Sequence, residues 1–89
     1  MKILSIKHEK DFVFQVTTSA GETKRCDFMR FFVKNIKHPA VRQVMDDPKL
    51  LHNPFLDEWG TPCWGEDVHE PIVDINPDNI LNGLYDYVD

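Results

Sequence analysis

The sequence has few cysteines, few apolar runs and no positive charge in its second half, and each shortage excludes a class of protein. Cys26 and Cys63 are its two cysteines, whereas a secreted domain of this size usually carries a fuller disulfide framework. The early apolar run ILSI, residues 3–6, is too short for a signal peptide or a membrane span. We therefore expect free thiols, no membrane partner and a cytoplasmic location.

Positive charge is absent from residues 50–89, which contain nine acids and carry −9. Residues 1–49 hold all ten Lys and Arg residues and six acids, which gives +4 and a total of −5. The halves of a short chain can interleave in space, so the sequence leaves open whether the acids form one face. Such a face would repel nucleic acid and membrane phosphates.

The patterning predicts one domain, residues 1–89, of the α+β class, with antiparallel hairpins and short helices packed on one face. Strands are predicted for residues 1–7 and for a hairpin in which Phe12, Phe14 and Val16 alternate on one face. Residues 19–22 supply its turn. A second hairpin is predicted around the turn signal at residues 58–61, followed by a short strand at residues 72–75.

Helix starts are indicated by Asp27, Pro39, the pair Asp47-Pro48 and the triplet 76–78. The first helix would end at His38, before Pro39, and the last would either run to the C-terminus or end early at Gly83. The predicted buried faces follow helical spacing. They are Met29, Phe32, Val33 and Ile36 in the first helix, and Ile80, Leu81, Leu84, Tyr85 and Val88 in the last.

The order of these features resembles the bacterial domain-of-unknown-function 2442 family. The resemblance is carried by an N-terminal hairpin leading to Asp27, by Asp47-Pro48 with leucines after it, by Trp64-Gly65 and by the Asp-Ile-Asn-Pro helix start at residues 74–77. It departs from the family where residues 65–73 separate the tryptophan from the aspartate. The resemblance implies a small α+β domain of the bacterial cytoplasm without established enzymatic activity, sometimes encoded in a toxin–antitoxin-like arrangement.

Metal binding and catalysis are weakly supported by the residue types present. Cys63 and His69 are five residues apart and no second ligand pair accompanies them, whereas structural zinc sites use closely spaced pairs. A catalytic thiol needs a nearby cation or helix N-terminus to lower its pKa, and Cys63 lies in the half without Lys or Arg, between Pro62 and Trp64. The four glycines are isolated, so no glycine-rich phosphate loop is present. We therefore predict no enzyme, no metal and no cofactor.

Two binding hypotheses remain, and they use opposite halves of the chain. The first is a protein contact, antitoxin-like, in which the acidic half docks a basic partner through Trp59, Glu66, Asp67, Glu70 and Asp74. The second is an accessory role in DNA regulation, in which a basic stretch interleaved with aromatics contacts phosphates through Lys24, Arg25, Arg30, Lys34 and Lys37. An exposed sheet edge would also allow two copies to form a homodimer.

Overall fold

The computed structural model describes residues 2–81 and 86–87, which form the predicted α+β fold with antiparallel hairpins, and its strands make two separate sheets. The strands are β1 (Ile3–Lys10), β2 (Val13–Thr18), β3 (Thr23–Asp27), β4 (Phe55–Leu56), β5 (Pro62–Trp64), β6 (Val73–Asp74) and β7 (Asp86–Tyr87). The helices are α1 (Met29–Lys34), α2 (Pro39–Asp46), α3 (Pro48–Leu51) and α4 (Pro77–Leu81). The larger sheet has the order β1-β2-β3-β7 and the smaller β4-β5-β6.

The larger sheet is built on two hairpins. β2 and β3 pair continuously from Val13 with Asp27 to Thr17 with Thr23, and Gly21 closes their turn in a left-handed conformation (φ 83°). β1 extends beyond the predicted limit, because its pairing with β2 continues as far as Lys10. The register of this pairing is irregular near both ends of β1. The intervening turn places Asp11 at φ 46°.

Prolines begin three of the four helices in the described part of the chain, as their positions in the sequence predicted. Pro39, Pro48 and Pro77 are each the first helical residue, a position where the missing N–H costs nothing. The Asp47 carboxylate accepts a hydrogen bond from Lys49 N–H at 2.9 Å, and Asn76 Oδ1 accepts one from Asp78 N–H at 2.9 Å. These local signals fix the helix starts independently of long-range packing.

The prediction of a buried face on the first helix is wrong except at Phe32. α1 ends at Lys34 rather than His38, and the residues after it form a turn. Because a helix of this length makes fewer than two turns, the three other residues of the predicted buried face do not pack against the core. Their exposed fractions are 46% for Met29, 53% for Val33 and 36% for Ile36. Phe28 and Phe32 are the buried residues instead.

A helix running to the C-terminus is also contradicted. Asp86 and Tyr87 form strand β7, which pairs with Asp27 and Cys26 of β3 and so satisfies backbone groups at that sheet edge. The predicted apolar positions Leu84, Tyr85 and Val88 lie outside the described residues. Ile80 is buried as expected.

One hydrophobic core joins both sheets to the helices, with Trp64 of β5 at its centre. The Trp64 ring is fully buried and meets Phe14, Phe28 and Phe32 edge-on, with centroid separations of 5.5, 6.2 and 5.4 Å. Its Nε1–H donates to the Leu51 carbonyl oxygen at 3.1 Å. Since one side chain contacts the sheet, α1 and α3, it holds the second hairpin against the first.

Candidate functional site

The turn between β4 and β5 displays Trp59 to solvent. Asp57 Oδ1 accepts hydrogen bonds from the N–H groups of Trp59 (2.8 Å) and Thr61 (2.9 Å), and Gly60 N–H donates to the Asp57 carbonyl oxygen at 3.1 Å. Such side-chain bonds to nearby backbone fix the turn locally. The Trp59 side chain itself is 74% exposed. The ordered turn therefore presents a large aromatic ring that does not pack in the core.

The loop between β5 and β6, residues 65–72, carries most of the predicted acidic residues. Asp67 Oδ1 accepts from His69 N–H at 2.8 Å, Glu70 N–H donates to the Asp67 carbonyl oxygen at 3.0 Å, and Ile72 N–H donates to the Trp64 carbonyl oxygen at 3.0 Å. These bonds hold the loop close to β5. Its middle residue, Val68, is 59% exposed.

Turn and loop together form an open groove of about 560 Å³, which we call the Trp59 groove. Its floor and walls combine apolar surface with acidic and imidazole side chains. The residues that line it are Leu56, Asp57, Glu58, Trp59, Val68, His69 and Pro71. An exposed tryptophan beside a concave apolar surface is the arrangement in which a partner side chain is buried at an interface.

The acidic residues around this groove are not neutralised by the protein's own bases. The ion pairs that join two described residues are Lys24 with Glu22, Arg25 with Glu9 and Arg42 with Asp46, all of them within residues 1–49. No acid between positions 57 and 78 has a basic partner in the described part of the chain. Within the described residues, the acids at positions 57–78 are therefore not directly paired with the bases of residues 1–49.

The predicted partner-binding residues are only partly brought together. Trp59 lines the Trp59 groove, and Glu66, Asp67 and Glu70 lie in the loop that forms its other wall; all four are exposed. Asp74 is exposed on β6, where it pairs in register with Cys63, and it does not line the groove.

Both cysteines are buried free thiols. Burial raises the pKa of Cys26 from 9.0 to about 11. Burial, together with the negative charges of Asp57 and Asp74, raises the pKa of Cys63 from 9.0 to about 11. A nucleophilic thiol requires the opposite shift, so the geometry around Cys63 does not favour covalent chemistry.

We expect neither thiol of the native protein to react with Ellman's reagent at about pH 8, whereas both react promptly in denaturant. The raised thiol pKa has a linked consequence for stability, because the folded state then holds these protons more tightly than the unfolded state. The free energy of unfolding should therefore fall as pH rises from about 9 to about 11. Urea titrations across that range measure the slope, and native labelling as fast as in denaturant would contradict the prediction.

The predicted basic stretch is divided between two elements. Lys24 and Arg25 lie on β3 and form the ion pairs given above. Arg30 and Lys34 are exposed on α1, and Lys37 is exposed in the following turn.

The aromatic residues of that stretch lie inside the molecule. Phe28 stacks on Phe14 with centroids 5.5 Å apart, and half-buried Phe31 contacts buried Phe32 edge-on at 5.3 Å. A platform for nucleic-acid bases requires exposed rings, which these three phenylalanines do not provide.

Among the described residues, no cluster of three or more His, Cys, Asp and Glu side chains is arranged to hold a metal ion. His8 and His52 stack at a centroid separation of 4.1 Å, and His8 Nε2 lies 2.9 Å from the Asp11 carbonyl oxygen. No helix within residues 2–81 is long and apolar enough to cross a membrane.

Sequence reasoning missed the apolar part of the Trp59 groove. Val68 is an apolar residue flanked by acids and histidine in a polar loop, and this is the one local sign of an exposed contact residue. Leu56 and Pro71 join it through the pairing of β4, β5 and β6, which depends on contacts distant in sequence. Comparison with protein-family models, curated proteins and solved structures finds no match to this chain.

Proposed function

We propose that this protein is a non-catalytic interaction module that binds a basic protein partner through the Trp59 groove. The observation that carries the proposal is an exposed tryptophan on an apolar groove whose neighbouring acids lack basic partners in the described chain. Tryptophan is among the residue types that contribute most to interfaces. Unpaired surface acids favour a basic partner and speed its association.

The resemblance to the domain-of-unknown-function 2442 family makes the proposal more specific. On that resemblance alone, we extend the proposal to an antitoxin-like role in a bacterial cytoplasm. In this role the groove binds a small basic protein. The role requires no cofactor and no covalent step, which agrees with the raised pKa of Cys63.

Neutralising two acids of the β5–β6 loop together with Asp74 of β6 should weaken the complex. We expect Asp67→Asn, Glu70→Gln and Asp74→Asn together to lower affinity about tenfold at low salt, with a smaller difference at high salt. Trp59→Ala alone should lower affinity about thirtyfold at both salt concentrations. An amide side chain keeps an oxygen that can accept from His69 N–H, so Asp67→Asn preserves the hydrogen bond of the loop. Affinity is measured by calorimetry with the basic protein captured from nuclease-treated lysate.

The matched control removes the same number of negative charges from the other half of the chain. Asp11→Asn, Glu22→Gln and Asp46→Asn change three exposed acids outside the groove and should leave affinity nearly unchanged. Equal losses for both triple variants would show a net-charge effect and contradict a localised site. Captured material that binds independently of Trp59 would also contradict the proposal, and dependence on Lys34 and Lys37 would favour a contact to nucleic acid.

A further inference from the structure

The short α1 helix leaves a second apolar surface exposed. This surface lies in the half of the chain that contains all the Lys and Arg residues. Met29, Val33 and Ile36 are each between 36% and 53% exposed. An open depression of about 330 Å³ lies beside them, lined by Asp27, Met29, Arg30 and Val33. The core therefore does not cover this surface in the described chain.

Lysines flank these apolar residues. Lys34 and Lys37 are exposed, and neither forms an ion pair with the described residues. We call this surface the basic apolar face, comprising Met29, Val33, Lys34, Ile36 and Lys37. The basic apolar face is opposite in charge to the Trp59 groove. Both surfaces expose apolar side chains.

We propose that the basic apolar face of one molecule docks in the Trp59 groove of a second copy. The face carries exposed lysines, whereas the groove and its loop carry carboxylates, and both surfaces expose apolar side chains: Met29 and Val33 on the face, Trp59 and Val68 at the groove. Charge complementarity between two open apolar surfaces favours their association. The chain therefore carries a ligand of the same chemical class that the proposed function assigns to the groove.

A contact between two different surfaces is head-to-tail, so one contact leaves a free groove at one end and a free basic face at the other. Assembly then continues into a ring or an open chain. A basic partner would compete with the second copy for the groove, so partner binding would disassemble the self-associated form. This inference rests on the groove assigned by the proposed function.

Sedimentation velocity of the full chain tests the proposal with two variants that block one surface each. Trp59→Ala removes the ring from the groove, and Met29→Asp places an acid in the basic apolar face at the N-terminal end of α1, where an acid is tolerated by the helix. Both positions are exposed, and circular dichroism checks that each variant folds. Concentrations run from about 5 µM to about 1 mM, which covers the affinities of small transient interfaces.

The wild type should increase in mean mass with concentration at about 50 mM NaCl, and this increase should diminish at about 500 mM. Each variant alone should remain monomeric, with a dissociation constant raised at least about tenfold. An equimolar mixture of the two variants should form a one-to-one dimer and nothing larger, because each supplies the surface that the other lacks.

A wild type that stays monomeric throughout overturns the proposal, and so does assembly that both variants retain. A variant mixture that stays monomeric overturns the head-to-tail pairing as well. Failure here is distinguishable from failure of the proposed function, since a monomeric protein whose Trp59 still binds a basic partner contradicts only the self-association.

Discussion

Replacing Trp64 with alanine is expected to lower the free energy of unfolding by about 3–5 kcal/mol. The ring is fully buried and makes edge-on contacts with Phe14, Phe28 and Phe32. Those partners belong to different elements, so the space left by the ring cannot close by a shift of one of them. A loss of this size is a large part of the about 5–15 kcal/mol that stabilises a typical domain.

Trp59→Ala is the matched control, because it makes the same substitution in the same hairpin at a side chain that is 74% exposed. We expect it to change the free energy of unfolding by no more than about 0.5 kcal/mol. Trp64→Phe is an intermediate change, since phenylalanine keeps one aromatic ring in the core but loses part of the indole volume and the donor to the Leu51 carbonyl oxygen. That variant should lose about 1–2 kcal/mol.

Urea denaturation followed by far-ultraviolet circular dichroism measures all three variants with a signal that the peptide backbone dominates, rather than with tryptophan fluorescence. The melting temperature of Trp64→Ala should fall by roughly 4–8 °C for each kcal/mol lost. Equal stability losses for Trp59→Ala and Trp64→Ala would contradict the assignment of one ring to the core and the other to the surface.

The three helix starts at prolines and the hairpins could be predicted from sequence because their signals are local, whereas the predicted N-cap Asp27 is the last residue of β3 and Phe28 precedes α1. A proline at the first helical position removes an N–H that no helix would use, and side chains such as Asp47 satisfy the next N–H groups within two residues. The predicted alternation holds at Phe14 and Val16, which are buried in β2, whereas Phe12 lies in the turn before that strand and is half-buried. These signals operate regardless of where the rest of the chain lies.

The buried face of α1 and the fate of the C-terminus could not be predicted, because both depend on long-range contacts. Periodicity at Met29, Val33 and Ile36 is typical of a longer helix, and only the early end of α1 at Lys34 shows that the face is not formed. Likewise, Asp86 and Tyr87 pair with β3, about sixty residues away in sequence.

The candidate site was predictable in its residue types and not in its shape. Charge counting identified the acidic half, and residue type identified Trp59 as an interface candidate. Whether those acids were paired with the basic half required the structure, because ion pairing depends on spatial proximity. The groove likewise exists only because the β4–β5 turn and the β5–β6 loop are brought side by side.

Gly60→Ala is expected to lower the free energy of unfolding by about 2–4 kcal/mol, combining a strained backbone with an atomic overlap. Gly60 has φ 76°, a left-handed conformation that costs alanine about 1–2 kcal/mol. A Cβ there would also lie 2.9 Å from the Ile3 carbonyl oxygen. Because that oxygen belongs to the backbone of β1, either the turn or the strand must move.

Gly21→Ala isolates the backbone contribution. Gly21 has a similar conformation, φ 83°, but an added Cβ would have no atom within 4 Å. We expect this variant to lose only the backbone cost, about 1–2 kcal/mol, so the difference between the two alanine variants measures the contact with Ile3. Urea titrations give both values, and an equal loss for the two would show that the turn is not held against β1.

Gly60→Ala should also affect binding, because the residue lies in the turn that presents Trp59. Moving the turn away from β1 would alter the hydrogen bonds that Asp57 makes to Trp59 and Thr61, and with them the wall of the groove. We therefore expect Gly60→Ala to weaken partner binding while Gly21→Ala, in the distant β2–β3 turn, leaves it unchanged. Unaltered binding by a destabilised Gly60→Ala protein would mean that the groove does not depend on the contact between this turn and the first strand.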